Sequence, residues 1–178
     1  LNPKSGWIAS TNQNPFKVSA RLDNLNQNNY SKTLGLQTRM TNRADRGLEL
    51  FAELGTISEQ EFFQIKHDKV YSTSSRAIGF LYSALNLDLE LGPVHYRQAQ
   101  HLIAEWDRST DVDSRGAALS ACIIGAEWLA EQQGRPTPNI SEELKRCSDL
   151  MIAKTGRIDP LWGEVNRHLR GDLNVPVG

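Results

Sequence analysis

A short apolar run near the start of the sequence leads directly into a cluster of side-chain amides and hydroxyls. Residues 7–9 (WIA) precede residues 11–14 (TNQN). The apolar run predicts a β-strand, and a strand holds the side chain that follows it in a fixed direction. A fixed N–H donor can stabilise the negative charge that develops on oxygen when an amide bond is cleaved. Asn12 is therefore a candidate oxyanion donor.

The same amides have a simpler interpretation. Asn readily turns the chain by hydrogen bonding to nearby backbone, so Asn12 in an Asn-rich stretch could be a turn residue without a chemical role. Residue types alone leave both interpretations of Asn12 open. Asn14, directly before Pro15, is predicted to be a turn residue.

Hydrophobic spacing divides the sequence into three regions. Residues 1–14 are predicted to form a turn and one strand that ends at the oxyanion turn, residues 15–39 a long polar loop, and residues 40–178 a helical lobe. The predicted fold class is mainly α, a bundle-like lobe of about five to six helices with one N-terminal β-strand. Because no confident partner strand follows, that strand is predicted to belong to a sheet outside this sequence. We therefore expect the sequence to be a segment of a larger polypeptide.

End signals support the predicted helices. Ser58 and Glu61 have the spacing of a capping box, Gly55 ends the preceding helix, and Pro93 suits a first helical turn. Cys122 and Cys147 both lie in apolar helical settings. Two buried thiols are the favoured interpretation, while a disulfide stays open because geometry decides it.

Composition excludes two classes of partner. The sequence has 20 Lys and Arg against 21 Asp and Glu, so its net charge of −1 predicts no broad attraction to nucleic acid. No apolar run approaches the ~20 residues of a membrane-spanning helix, so no membrane span is predicted. The four histidines lack the spacing of a metal site, and no cofactor is predicted.

Three segments, in order along the chain, resemble one known family. Residues 2–15 (NPKSGWIASTNQNP) are similar to the NPxxG[YWL]Ix[NS]xN[NQ]xP segment of the penicillin acylase family. Residues 43–51 (RADRGLELF) are similar to a helix of that family with the pattern RAxRIxxLL. Residues 156–178 resemble the GxxxxxWGxxxR…GDxxxP stretch of its long-chain and acyl-homoserine-lactone acylase branch.

The resemblance implies an N-terminal-nucleophile hydrolase that cleaves amides. In that family the nucleophile is a Ser exposed at the N-terminus of the mature large subunit, and its α-amine is the base. That Ser lies outside this sequence, so the segment alone is expected to be inactive. The family's oxyanion Asn is matched by Asn12, which favours the donor interpretation. Its electrostatically supporting Arg is matched by Arg43, with Arg39 and Arg46 as competing matches and an exposed helix-edge Arg as the alternative.

The resemblance also singles out Asp23. In the antibiotic-cleaving branch an acidic residue at this spacing after the oxyanion Asn helps to bind calcium. Calcium takes about six to eight oxygen ligands, and no carboxylate cluster surrounds Asp23 in the sequence. A solvated or turn-forming Asp is therefore the favoured interpretation, and a structural calcium in the whole enzyme is the alternative.

Together these inferences predict a segment from the large subunit of a penicillin-acylase-like amidohydrolase. Its partners would be the small subunit, the rest of the large subunit and an acylated amine substrate, with an aliphatic acyl chain favoured. Its location would be periplasmic or secreted. The rival is a non-enzymatic helical interaction module, which should pair the backbone of residues 7–12 within itself.

Overall fold

Seven α-helices and one two-stranded sheet form the regular structure of the described residues, 2–52 and 55–178, in the computed structural model. The helices are α1 (Asn42–Ala52), α2 (Glu59–Lys66), α3 (Arg76–Tyr82), α4 (Val94–Glu105), α5 (Ala117–Gln132), α6 (Ile140–Thr155) and α7 (Trp162–Val165), and the strands are β1 (Arg167–Arg170) and β2 (Leu173–Pro176). The mainly α prediction is confirmed. The chain divides into two compact units, residues 1–75 and 76–178.

The polar stretch of the first unit is irregular, as predicted. Residues 15–38 contain only three short 3-10 turns, at Arg21–Asp23, Gln27–Asn29 and Lys32–Leu34. Side-chain amides replace regular backbone pairing here. The Asn24 amide accepts from the backbone N–H groups of Val18 and Ser19 at 2.8 and 3.0 Å, and it donates to the Ser19 carbonyl at 2.8 Å.

Residues 7–10 form no strand within the described chain. Their backbone makes one backbone–backbone hydrogen bond to another segment, from Ala9 N–H to the Val18 carbonyl at 2.7 Å, and the side chains of Ser19 and Gln13 donate to the Trp7 and Ala9 carbonyls at 2.8 and 3.1 Å. Exposure alternates along residues 7–10, which is the pattern of an extended segment. The indole of Trp7 packs on Phe51 of α1, with ring centroids 5.9 Å apart. Pairing of this segment with a sheet outside the sequence stays a prediction.

Local end signals define the two helices of the first unit. The hydroxyl of Thr41 accepts from Ala44 N–H at 3.2 Å at the start of α1. Ser58 and Glu61 form the predicted capping box at the start of α2. These caps satisfy N–H groups that have no partner within the helix.

Helices α3 to α6 form the core of the second unit. The fully buried side chains include Ile78, Leu81, Ile103, Leu119, Ile123 and Leu144. A disulfide joins Cys122 of α5 to Cys147 of α6, so the favoured interpretation of two buried thiols is wrong. The packing of α5 on α6 places the two Cα atoms 5.9 Å apart, within the range that a disulfide requires.

A β-hairpin that the sequence analysis did not anticipate follows α7. Strands β1 and β2 pair antiparallel around a tight turn, where Gly171 has a φ of +55°. The signal was present, because a Gly-Asp pair between two short strands is a common hairpin turn. None of the described helices combines the length and the apolar character needed to cross a bilayer.

Candidate active site

Asn12 lies at an exposed turn in the first unit, with its backbone in the left-handed region at a φ of +58°. Asn tolerates this conformation better than most residues because its short side chain bonds locally. The turn is tied to the start of α1, since the Thr41 hydroxyl that caps the helix also donates to the Thr11 carbonyl at 3.4 Å. Asn12 therefore lies beside the N-terminus of a helix.

The structure brings Asn12 and Arg43 together. Nη2 of Arg43 donates to Oδ1 of Asn12 at 2.6 Å. This bond occupies the amide oxygen with a cation, and within the described chain Nδ2 of Asn12 donates to no other group. An amide held by its oxygen in this way presents its N–H donors to an incoming acceptor.

One of the two competing matches, Arg46, already forms ion pairs. Its guanidinium donates to both carboxylate oxygens of Asp68, at 2.9 and 2.7 Å, and to Glu49 at 3.3 Å. The pKa of Asp68 is held below its ordinary value by Arg46, against the opposing effect of burial. Arg46 thus stabilises the first unit, and of these two arginines it is Arg43 whose charge reaches the amide cluster.

A hydroxyl–carboxylate pair in the same unit is structural. Ser72 is fully buried and donates from its hydroxyl to Glu49 at 2.6 Å. Burial raises the pKa of Glu49, but hydrogen bonds from Ser72 and the residues after it outweigh that effect and the net pKa is lowered. Because Ser72 is closed off from solvent, it cannot attack a substrate.

Asn14 fixes the backbone around the turn, as predicted. Its amide is buried, accepts from Phe16 N–H at 2.9 Å and donates to the Thr38 carbonyl at 2.8 Å. Asn14 thereby joins the chain after the Asn12 turn to the segment that enters α1. Both hydrogen-bonding ends of its side chain are used inside the protein, which leaves it little capacity for a substrate.

Asp23 accepts from Ser5 N–H at 2.7 Å, a bond that lowers the pKa of its carboxyl. No group of three or more His, Cys, Asp or Glu that could hold a metal ion occurs among the described residues. Asp23 would supply one oxygen to calcium, so the described residues do not make up a calcium site. A structural calcium, the alternative interpretation of Asp23, would need ligands from elsewhere.

A cavity of about 380 Å³ lies in the same unit, and its lining includes Phe16 and Thr38, the two residues to which the Asn14 side chain bonds. Phe16, Tyr30 and Leu36 supply its apolar lining, and the rest of the lining is polar: Gln27, Asn28, Ser31, Lys32 and Thr38. Phe16 and Tyr30 pack with ring centroids 5.3 Å apart. This volume falls within the range of small-ligand sites, roughly 300–1,000 Å³.

Sequence reasoning missed Gln13, whose carboxamide makes four hydrogen bonds around the Asn12 turn. The only sequence signal was its position among other amides.

A family model described as penicillin amidase matches residues 1–166 of the chain.

Proposed function

The chain therefore belongs to the penicillin amidase family, and we propose that it supplies the oxyanion donor of an acyl-amide hydrolase. Members of this family are acylase-type hydrolases, so membership favours an enzyme over an interaction module. In this proposal the nucleophile is an N-terminal Ser outside the sequence, Asn12 donates to the oxyanion, and Arg43 supports Asn12. The observation that carries the proposal is the 2.6 Å bond between Arg43 and Asn12.

The proposed chemistry follows from acyl transfer. The Ser hydroxyl attacks the amide carbonyl, its proton passes to the α-amine and then to the leaving amine, and water releases the acid from the acyl-enzyme. Each attack places a negative charge on the carbonyl oxygen. Nδ2 of Asn12 would donate to that oxygen, and Arg43 makes Nδ2 a stronger donor by withdrawing electron density through Oδ1. A donor of this kind contributes about 3 kcal/mol to transition-state stabilisation.

We propose that the substrate is an acylated amine with an aliphatic acyl chain. The aliphatic preference rests on the resemblance of residues 156–178 to the long-chain branch. The cavity beside Asn14 has a mixed lining in which Phe16 and Leu36 are apolar and Lys32 is cationic, so it does not by itself favour one acyl chain. The partners in this proposal are the small subunit and the remainder of the large subunit.

The disulfide between Cys122 and Cys147 supports an oxidising location. Disulfides persist in secreted and periplasmic proteins and are rare in reducing compartments. We therefore propose a periplasmic or secreted location. A structural calcium, if bound, would take Asp23 together with ligands outside the described residues.

The rival interaction module explains the amphipathic helices but neither the Arg43–Asn12 pair nor the family match. Within the described chain, the backbone of residues 7–12 bonds to Val18 and to the side chains of Gln13, Ser19 and Thr41, so this backbone does not separate the module from the hydrolase segment.

Hydrolysis of a chromogenic fatty-acyl anilide tests the function. The complete protein is expected to release the aniline and this chain alone is not, because the proposed nucleophile lies outside it. A complete protein that cleaves no acyl anilide, whatever the acyl length, would refute the hydrolase assignment. Turnover by the chain alone, above a boiled control, would refute the external nucleophile.

A further inference from the structure

The Gln13 side chain uses its full hydrogen-bonding capacity inside the protein. Its oxygen accepts from the backbone N–H and from the hydroxyl of Thr11, the latter at 2.7 Å. Its Nε2 donates to the carbonyls of Ala9 and Lys17 at 3.1 and 3.2 Å. A neutral carboxamide has two acceptor lone pairs and two donor hydrogens, so no capacity remains for a ligand.

These four bonds close a loop around Asn12. The partners of Gln13 lie before Asn12, at Ala9 and Thr11, and after it, at Lys17. The backbone bond from Ala9 to Val18 closes the same loop one residue further along. The loop holds Asn12 in the left-handed region, which is unfavourable for a non-Gly residue and persists only where surrounding bonds enforce it.

We infer that Gln13 is the positioning residue of the oxyanion donor: its carboxamide fixes the turn that aims the Asn12 amide at the reacting carbonyl. This inference rests on the proposed function of Asn12 and adds a residue whose side chain bonds only to Thr11, Ala9 and Lys17. Positional precision is decisive at such a donor, since a displacement of about 1 Å can cost ~10²-fold in rate. Gln13 therefore acts on kcat through Asn12.

The alternative is that Gln13 only stabilises the loop. A structural brace and a positioning residue both lower the melting temperature when they are removed, so stability does not separate them. A positioning residue also lowers kcat with little change in KM, and it has no further effect on kcat once Asn12 is absent. Non-additivity with Asn12 is the decisive readout.

The experiment measures kcat, KM and melting temperature for variants of the complete enzyme on a fatty-acyl anilide. Gln13→Ala removes all four bonds. Gln13→Glu keeps the volume and the acceptor oxygen but turns a carboxylate oxygen toward the carbonyls of Ala9 and Lys17, so it tests the hydrogen bonds without creating a cavity. Both are compared with Asn12→Ala and with each double variant, below the melting temperature of every protein.

Gln100→Ala is the matched control. Nε2 of Gln100 also donates to backbone carbonyls, those of Ala84, Leu85 and Leu87 at 2.9, 3.2 and 3.0 Å, but in the second unit. Its loss is expected to lower the melting temperature and to leave kcat within about twofold of wild type, since no proposed site residue is affected.

We expect each Gln13 variant to lower kcat roughly 10- to 100-fold in the wild-type background and less than about twofold in the Asn12→Ala background. An unchanged kcat in either folded Gln13 variant, or an equal loss in both backgrounds, would overturn the positioning role. If Asn12→Ala lowers kcat and the Gln13 variants do not, this inference alone fails. If Asn12→Ala retains wild-type kcat, the proposed function fails and the inference with it.

Discussion

The pairing of Asn12 with Arg43 is the smallest unit of the account. An exposed Arg–amide bond contributes little to stability, because both groups are well solvated in the unfolded chain. The bond instead orients the Asn12 amide. The guanidinium binds the amide oxygen, so the amide N–H groups face away from the cation. Arg43 and Asn12 are therefore expected to act together, with Arg43 orienting the Asn12 donor.

Replacing Arg43 tests whether it orients Asn12. Arg43→Ala leaves the Asn12 amide free to rotate, and we expect kcat to fall about 10-fold, or about 1.4 kcal/mol of activation free energy. Arg43→Lys keeps the charge but loses the planar donor, so its kcat should lie between those of Arg43→Ala and wild type. Steady-state kinetics of the complete enzyme measure this.

The control for Arg43 is Arg146→Ala, which removes an exposed Arg paired to Glu143 in the second unit. It should leave kcat unchanged. Wild-type turnover by Arg43→Ala would show that Asn12 needs no support from Arg43.

At the residue scale, the sequence predicts those features whose interaction partners lie close along the chain. The Asn14 turn and the Ser58–Glu61 capping box were readable because their partners lie within a few residues. The disulfide between Cys122 and Cys147 was not, because it depends on the distance between two helices. The role of Gln13 was not predicted, because a Gln amide can bond to any nearby backbone group and the sequence does not indicate which group it selects.

Among the elements, the α7–hairpin junction packs tightly around a glycine. Gly163 N–H donates to the Val112 carbonyl at 2.8 Å, and Arg167 of β1 donates to the Gly163 carbonyl at 2.8 Å. A Cβ on Gly163 would lie 2.9 Å from the Cβ of Pro176 in β2. The sequence marked Trp162 and Gly163 as a motif, but only the fold reveals what the glycine touches.

We expect Gly163→Ala to lower the free energy of unfolding by roughly 1–3 kcal/mol, the usual cost of overpacking. The matched variant is Gly125→Ala on the exposed face of α5, where an added Cβ meets nothing within 4 Å. There the substitution should raise stability by about 0.5–1 kcal/mol, because Ala is the better helix former. Urea unfolding measures both, and equal effects of the two variants would contradict the packing argument.

Helix content was predictable at the element scale from spacing, whereas the hairpin had only the signal of its Gly171–Asp172 turn. Apolar residues recur at helical spacing along α1 and α3 to α6; in α3 to α6 the buried residues follow that spacing, whereas in α1 Ala44 alone is buried. Strands β1 and β2 are exposed at every position, so they carry no buried alternation for a sequence pattern to detect.

For the whole molecule, family membership came from ordered motifs and was confirmed by a match over residues 1–166. The mainly α architecture was confirmed as well. What the motifs imply at single residues is a separate claim. That Asn12 stabilises an oxyanion is the central one, because the roles of Arg43 and Gln13 both depend on it.

The most direct test of that claim is the kinetics of Asn12→Ala in the complete enzyme on a fatty-acyl anilide. The control is Asn174→Ala, because Asn174 accepts from Arg167 at 2.6 Å much as Asn12 accepts from Arg43, but in the hairpin of the second unit. Since the Asn12 amide would meet a full charge only in the transition state, its loss should lower kcat ~10²–10³-fold with KM nearly unchanged, while Asn174→Ala keeps wild-type turnover. Near wild-type kcat in Asn12→Ala, or a rise in KM alone, would contradict the account and leave Asn12 as a turn residue.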